Sequence, residues 1–201
     1  MGVVFNSTNS PNLYENPTNI LYIKFCQVTY IRSIVISRRG IPMNPIAFQN
    51  IPEQLRHPKV KRWCVFRCYF YPDRINKIPF TPLGYNAAID NPQTWSDFDS
   101  CVMAIEFGIG HLPGFALTPE YNLTCIDLDQ CIGNDNTLSS TALKYMQLKE
   151  NGAYVERSIS KKGIHIFGWN TGNKTIPTHP EHGVELYTEK RFIAMTGDIL
   201  G

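Results

Sequence analysis

"LTCIDLD", residues 123–129, places two carboxylates, Asp127 and Asp129, on either side of one leucine in a run that otherwise reads as a buried strand. Side chains alternate faces along a strand, so Ile126 and Leu128 point into a core while Asp127 and Asp129 project together from the other face. Two later runs carry the same parity. In "KGIHIFGW" (162–169) Ile164 and Ile166 alternate with His165 and Phe167, and in "GVELYTEK" (183–190) Val184 and Leu186 alternate with Glu185 and Tyr187. As neighbours in one sheet, the three runs bring three carboxylates and one imidazole to a common open face. Close carboxylates raise one another's pKa unless a cation neutralises them. Hard oxygen ligands of this kind suit Mg²⁺ or Mn²⁺, ions that keep positions for substrate phosphates when few carboxylates hold them.

The rest of the chain is regularly punctuated. "KVKRWCVFRCYFYP" (59–72) has the aromatic and Val content of a strand, and "DRINKIPFTPLGYNAAIDNP" (73–92) reads as a loop dense in Pro, Gly and Asn. "TWSDFDSCVMAIEFG" (94–108) predicts a helix with Thr94 as N-cap, Asp97 three residues on, and a buried stripe of Trp95, Phe98, Cys101, Val102 and Ile105. "GFALTPEYNLTCIDLD" (114–129) contains further strands, and "SSTALKYMQLKENG" (139–152) predicts a second helix closed by Gly152. "AYVERSIS", "KGIHIFGW" and "GVELYTEKRFIAMTG" are three more strand-like runs. Strands and helices in this order predict an α+β domain, with helices flanking a mixed or antiparallel sheet.

With 201 residues, 43% hydrophobic and 12% aromatic, the chain can bury one sizeable core. Residues 1–42 set Lys24, Arg32, Arg38 and Arg39 against Glu15 alone, which is +3 of a net +2 and leaves the remainder at −1. Overall charge therefore neither indicates nor excludes nucleic acid. Six cysteines without a CxxC pair do not form a secreted disulfide framework, which predicts a reducing cytoplasm. Cys64, Cys68 and His57 offer three zinc ligand types, without an evident fourth.

The run "ILYIKFCQVTYIRSIVI" (20–36) is broken by Lys24, Gln27 and Arg32 and has no cleavage site after it, against a membrane or signal role. Residues 1–42 read as a β-rich or poorly ordered extension, or as a start-site artefact, because Met43 opens "MNPIAFQNIPEQLRHP" like an ordinary domain start. The domain proper is expected over 43–201, as a catalytic domain whose C-terminus is cut short.

The succession "CIDLD", "YVERSISKKGIHIFG" and "GVELYTEKRFIAMTG" resembles the primase-polymerase (prim-pol) domains of the archaeo-eukaryotic primase superfamily, especially those of phage and plasmid replication proteins. Those domains carry an hDhD strand, a Ser-x-Ser-Gly-x-Gly-x-His turn and strand, and a third acidic strand followed by Arg and Thr-Gly. "KIPFTPLGYNAAIDNPQTWSDFDSCVMAI" is similar to their Lys-x-Pro loop and Trp-bearing helix, so the resemblance covers about residues 50–201. It implies an RRM-like catalytic core and DNA-directed nucleotidyl transfer with two Mg²⁺ or Mn²⁺ ions. Asp127, Asp129 and Glu185 become metal ligands, and His165 a contact to the incoming triphosphate. Ser160, Lys162 and Gly163 line a phosphate-binding turn, with Arg191 and, more distantly, Lys77 as further nucleotide contacts. Single-stranded DNA template, primer, nucleoside triphosphates and a separate replicative helicase are the implied partners, with Phe167, Tyr187 or Trp169 available to stack on sugar or base. Ile159 stands where Pro is common in the family, and Lys161 where the first Gly of the turn is expected.

Two other readings fit the same residues. A metal-dependent nuclease also needs clustered acids, although "ELYTEK" lacks the acid-x-lysine spacing of one large class and His165 lacks the neighbour that paired-histidine relaxases need. A replication-protein fragment that binds nucleic acid without synthesis is the non-enzymatic alternative.

Overall fold

The computed structural model describes residues 47–169 and 183–200, so the readings made on residues 1–42 lie outside the described residues. β1 (Trp63–Phe70) forms on the predicted aromatic run, and β2 (Ile75–Phe80) pairs with it, antiparallel, inside the stretch read as a loop. Pro79 hid that strand. A proline lacks the ladder N–H and is confined to sheet edges, and β2 is an edge strand in a sheet ordered β2-β1-β3-β8, with β3 at Leu112–Leu117 and β8 at Arg191–Ala194.

A second antiparallel sheet has the order β5-β6-β4-β7, with β4 at Leu123–Leu128, β5 at Tyr154–Arg157, β6 at Ile164–Trp169 and β7 at Val184–Tyr187. The protein is thus α+β as expected, but built on two four-stranded sheets rather than one. The run "GVELYTEKRFIAMTG" is where they meet: it supplies β7 to one sheet and β8 to the other, turning at Lys190 in a left-handed conformation, φ 54°. Residues 198–200 then follow the outer edge of β5, where the Arg157 N–H donates to the Asp198 carbonyl at 2.8 Å.

α1 (Glu53–Arg56) is a single turn that buries Leu55. α2 (Phe98–Glu106) buries Phe98, Cys101, Ala104 and Ile105. Its cap is Asp97, not Thr94: the Asp97 carboxylate accepts the Ser100 N–H at 2.8 Å, while the Thr94 hydroxyl closes the preceding turn onto the Asn91 carbonyl at 2.7 Å. Trp95 accordingly sits before the helix, its indole N–H donating to the Ala88 carbonyl at 2.9 Å. α3 (Ser140–Glu150) is followed by Gly152 at φ 86°, as the sequence predicts, and is capped at its start by Ser139.

Three apolar clusters hold the elements together. One joins Trp63, Phe115 and Ile193 of the first sheet to Phe98 of α2 and to Leu123, Cys125 and Phe167 of the second. Another packs Ile126, Leu128, Ile164 and Val184 with Ala142 of α3. The parity of "CIDLD" is therefore realised: Ile126 and Leu128 face the helix, and Asp127 faces away from it. The third lies on the opposite face of β1, where Cys64 and Cys68 are buried and their thiol pKa values are pushed up by desolvation. His57 instead accepts the Lys59 N–H, which gives the zinc reading no support. Among the described residues no helix is long and apolar enough to cross a membrane.

Candidate active site

β4 lies between β6 and β7, and its register sets Asp127 opposite His165 on one side and Glu185 on the other. The β5–β6 hairpin sets His165 opposite Glu156. Directly paired residues share a face, so Glu156, His165, Asp127 and Glu185 form one row across all four strands. The preceding row on that face, Tyr154, Phe167, Cys125 and Tyr187, is aromatic and apolar. Phe167 is fully buried there and so unavailable to stack on a base, unlike the exposed Trp169, and Tyr187 is half-buried.

The row grades from buried to exposed. Glu156 is 0% exposed and His165 2%, so the face anticipated as open is closed at this end. Glu156 accepts the Thr196 N–H at 2.9 Å, the Gly197 N–H at 2.9 Å and the Tyr154 hydroxyl at 2.7 Å. His165 stands between two carboxylates, with Nδ1 3.4 Å from Glu156 Oε1 and Nε2 3.7 Å from Asp127 Oδ1. Asp127 Oδ1 is buried and has no hydrogen-bond partner among the described residues. Such an atom ordinarily costs about 1–3 kcal/mol.

Asp129 follows the end of β4, and its N–H still donates to the Gly183 carbonyl at 2.8 Å. Desolvation raises its carboxyl pKa first, and the charges of Asp127 and Glu185 raise it further, against opposing contributions from Lys77 and His165. Glu185 accepts a hydrogen bond from the Tyr187 hydroxyl. That hydroxyl also accepts from Arg191 Nη2 at 2.9 Å, and the guanidinium lies over the Tyr187 ring, 4.4 Å from its centroid. Desolvation and the Glu185 bond push the Tyr187 pKa up to about 12.

A cleft of about 540 Å³ is lined by Asp127, His165 and Tyr187 of the second sheet together with Lys77, Phe66 and Arg191 of the first. Lys77, the most distant candidate by sequence, thus shares a cavity with the central acid. The 158–163 turn stands apart from the cleft lining. Ser160 and Lys162 are exposed, and the Ser160 hydroxyl bonds with that of Ser158 at 2.9 Å and accepts the Lys162 N–H at 3.2 Å. Gly163 lies against β4, where an added Cβ would stand 2.8 Å from the Leu128 carbonyl oxygen. Lys161 adopts φ 63°, a conformation that favours the expected Gly, and its ammonium pairs with Asp198. Ile159 packs against the third apolar cluster.

As the side chains stand, no three His, Cys, Asp or Glu residues among those described form a ligand cluster. The donor set nonetheless fits a hard cation in chemistry: acid oxygens only, one of them buried and unpaired, and a neighbouring carboxyl whose pKa is raised by desolvation and then by like charge. Glu185 would have to exchange its Tyr187 contact to join them. Glu156 is the residue that sequence reading missed. The two arms of the hairpin count off equally from the 158–163 turn, which was signal enough to set it opposite His165. No protein-family model matches the chain, and no curated protein matches it.

Proposed function

We propose that the chain is a nucleotidyltransferase, a DNA primase-polymerase that joins nucleoside triphosphates to a primer on single-stranded DNA in phage, plasmid or mobile-element replication. The observation that carries the reading is the cleft itself, whose lining gathers Asp127 and His165 with Lys77 and Arg191. Its volume falls within the roughly 300–1,000 Å³ of small-molecule sites, enough for a nucleotide.

Asp127, Asp129 and Glu185 are the residues that would hold Mg²⁺ or Mn²⁺, which when bound supplies Lewis-acid activation and charge neutralisation at phosphate. Lys77 and Arg191 offset the triphosphate charge, Arg191 through a planar fork suited to two phosphate oxygens. His165, donating Nδ1–H to Glu156 and Nε2–H into the cleft when both nitrogens are protonated, positions one phosphate oxygen. Trp169 offers exposed ring surface to sugar or base, whereas Tyr187 is half-buried beneath the Arg191 guanidinium. The pairing of Glu185 with Tyr187 favours a second reading, a replication protein that binds nucleic acid without synthesis.

Primer extension by the purified chain with template, triphosphates and Mg²⁺ or Mn²⁺ tests the proposal. Extension that disappears in Asp127→Asn and in Asp129→Asn, with folding retained, is the expected result. Template binding without extension in the wild type selects the second reading, and template shortening selects a nuclease.

A further inference from the structure

Glu156 is a carboxylate buried to 0% exposure in a position that no nucleotide contact explains. Its oxygens are held from one side by the backbone N–H groups of Thr196 and Gly197 and by the Tyr154 hydroxyl. Such a nest of donors satisfies both carboxyl oxygens away from water. The remaining side of Oε1 faces His165 Nδ1 at 3.4 Å. A fixed acceptor at one ring nitrogen decides which nitrogen carries the proton of a neutral imidazole.

We propose that Glu156 is a positioning residue that holds His165 as the Nδ1–H tautomer and aims Nε2 toward Asp127 and the cleft. The role assigned to the aimed nitrogen rests on the nucleotidyl-transfer reading, but the way the ring is held does not. Asp127 is the competing acceptor, yet it lies farther, 3.7 Å from Nε2, and its nearer oxygen makes no hydrogen bond among the described residues.

Long-range ¹H–¹⁵N spectra of the full labelled chain, at a pH where the ring is neutral and with the signal assigned through His165→Gln, read the tautomer directly. The wild type is expected to show Nδ1–H. In Glu156→Gln the Thr196 and Gly197 N–H donors claim the amide oxygen, so the NH₂ faces the ring, Nδ1 must accept, and the signal switches to Nε2–H. Because Nδ1 must then accept, the ring can no longer become the doubly protonated cation that meets the phosphate, and nucleotide kcat/KM falls roughly 10- to 100-fold, the scale seen when an orienting partner is removed. Tyr154→Phe, which removes one hydrogen bond to Glu156 without touching its charge, lowers Tm and keeps Nδ1–H. A wild-type ring found as Nε2–H overturns the proposal, as does an unchanged tautomer in Glu156→Gln. If that variant does not fold, the wild-type spectrum decides alone. The expected tautomers in a wild-type chain that incorporates no nucleotide sustain the positioning role and remove the nucleotidyl-transfer reading.

Discussion

At Asp129 the candidate chemistry and the stability of the fold pull in opposite directions. Its carboxyl pKa is raised by desolvation and then by Asp127 and Glu185. A carboxyl raised on folding contributes stability that is complete below its unfolded pKa of about 3.9 and is lost as pH rises through the folded value. Asp129→Asn is therefore expected to raise Tm over wild type at neutral pH, with the gain vanishing in acid, and thermal melts across that range check it. Millimolar Mn²⁺ added to the wild type at neutral pH should raise Tm too, since a ligand that binds only the folded state stabilises it. His165→Ala separates the imidazole from the acids. Losing one hydrogen bond to a charged phosphate costs about 1.5–3 kcal/mol, on the order of ten- to a hundredfold in kcat/KM. Incorporation kinetics beside a template-binding titration should show that loss with little change in template Kd. Asp127, His165 and Glu185 were legible because strand parity has a period of two and each alternates with core aliphatics. Parity does not distinguish a rim position from an interior one, which is why Phe167 passed as exposed. It also says nothing of the partner strand, which is why Glu156 was missed.

Among the elements, the β5–β6 hairpin depends on one absent side chain. A Cβ at Gly163 would stand 2.8 Å from the Leu128 carbonyl oxygen and 3.0 Å from Ser158 Oγ, so Gly163→Ala must push the turn off the end of β4, next to Asp129. Overpacking of this kind costs about 1–3 kcal/mol. Gly168 in β6 has nothing within 4 Å of a built Cβ, so Gly168→Ala is the control and should stay within about 0.5 kcal/mol. Denaturant melts of both variants check the contrast. Helices were read better than strands. α3 kept its predicted close because Gly152 is a local signal, whereas α2 begins three residues later than "TWSD" suggested because Asp97 caps it and Thr94 serves the turn before. β2 escaped notice through its proline. The split of β7 from β8 escaped because Lys190 supplies a left-handed turn that sequence usually signals with Gly or Asn.

For the whole molecule, the described residues begin four positions after the boundary expected at Met43. Asn50 donates through Nδ2 to the Gly197 carbonyl at 2.9 Å, and an added Cβ on Gly197 would stand 2.3 Å from the Ala47 carbonyl oxygen. The first described residues already close on the segment after β8. A chain beginning at Met43 should therefore melt within a few degrees of the full chain, and limited proteolysis should trim the full chain near that point; protection of residues 1–42 would make them structural. That the domain is α+β was legible from element order. That it has two sheets was not, since which strands become neighbours is decided by tertiary packing that no local run records. The sharing of one ribbon between β7 and β8 bears on how the protein is made. β1, β2 and β3 emerge from the ribosome early, but β3 waits for its outer neighbour until the whole second sheet has been synthesised. For that interval the nascent chain carries a bare strand edge, the kind of surface that recruits chaperones or other chains. The first sheet to begin is thus the last to be sealed, and slow translation through residues 118–190 would prolong the exposure.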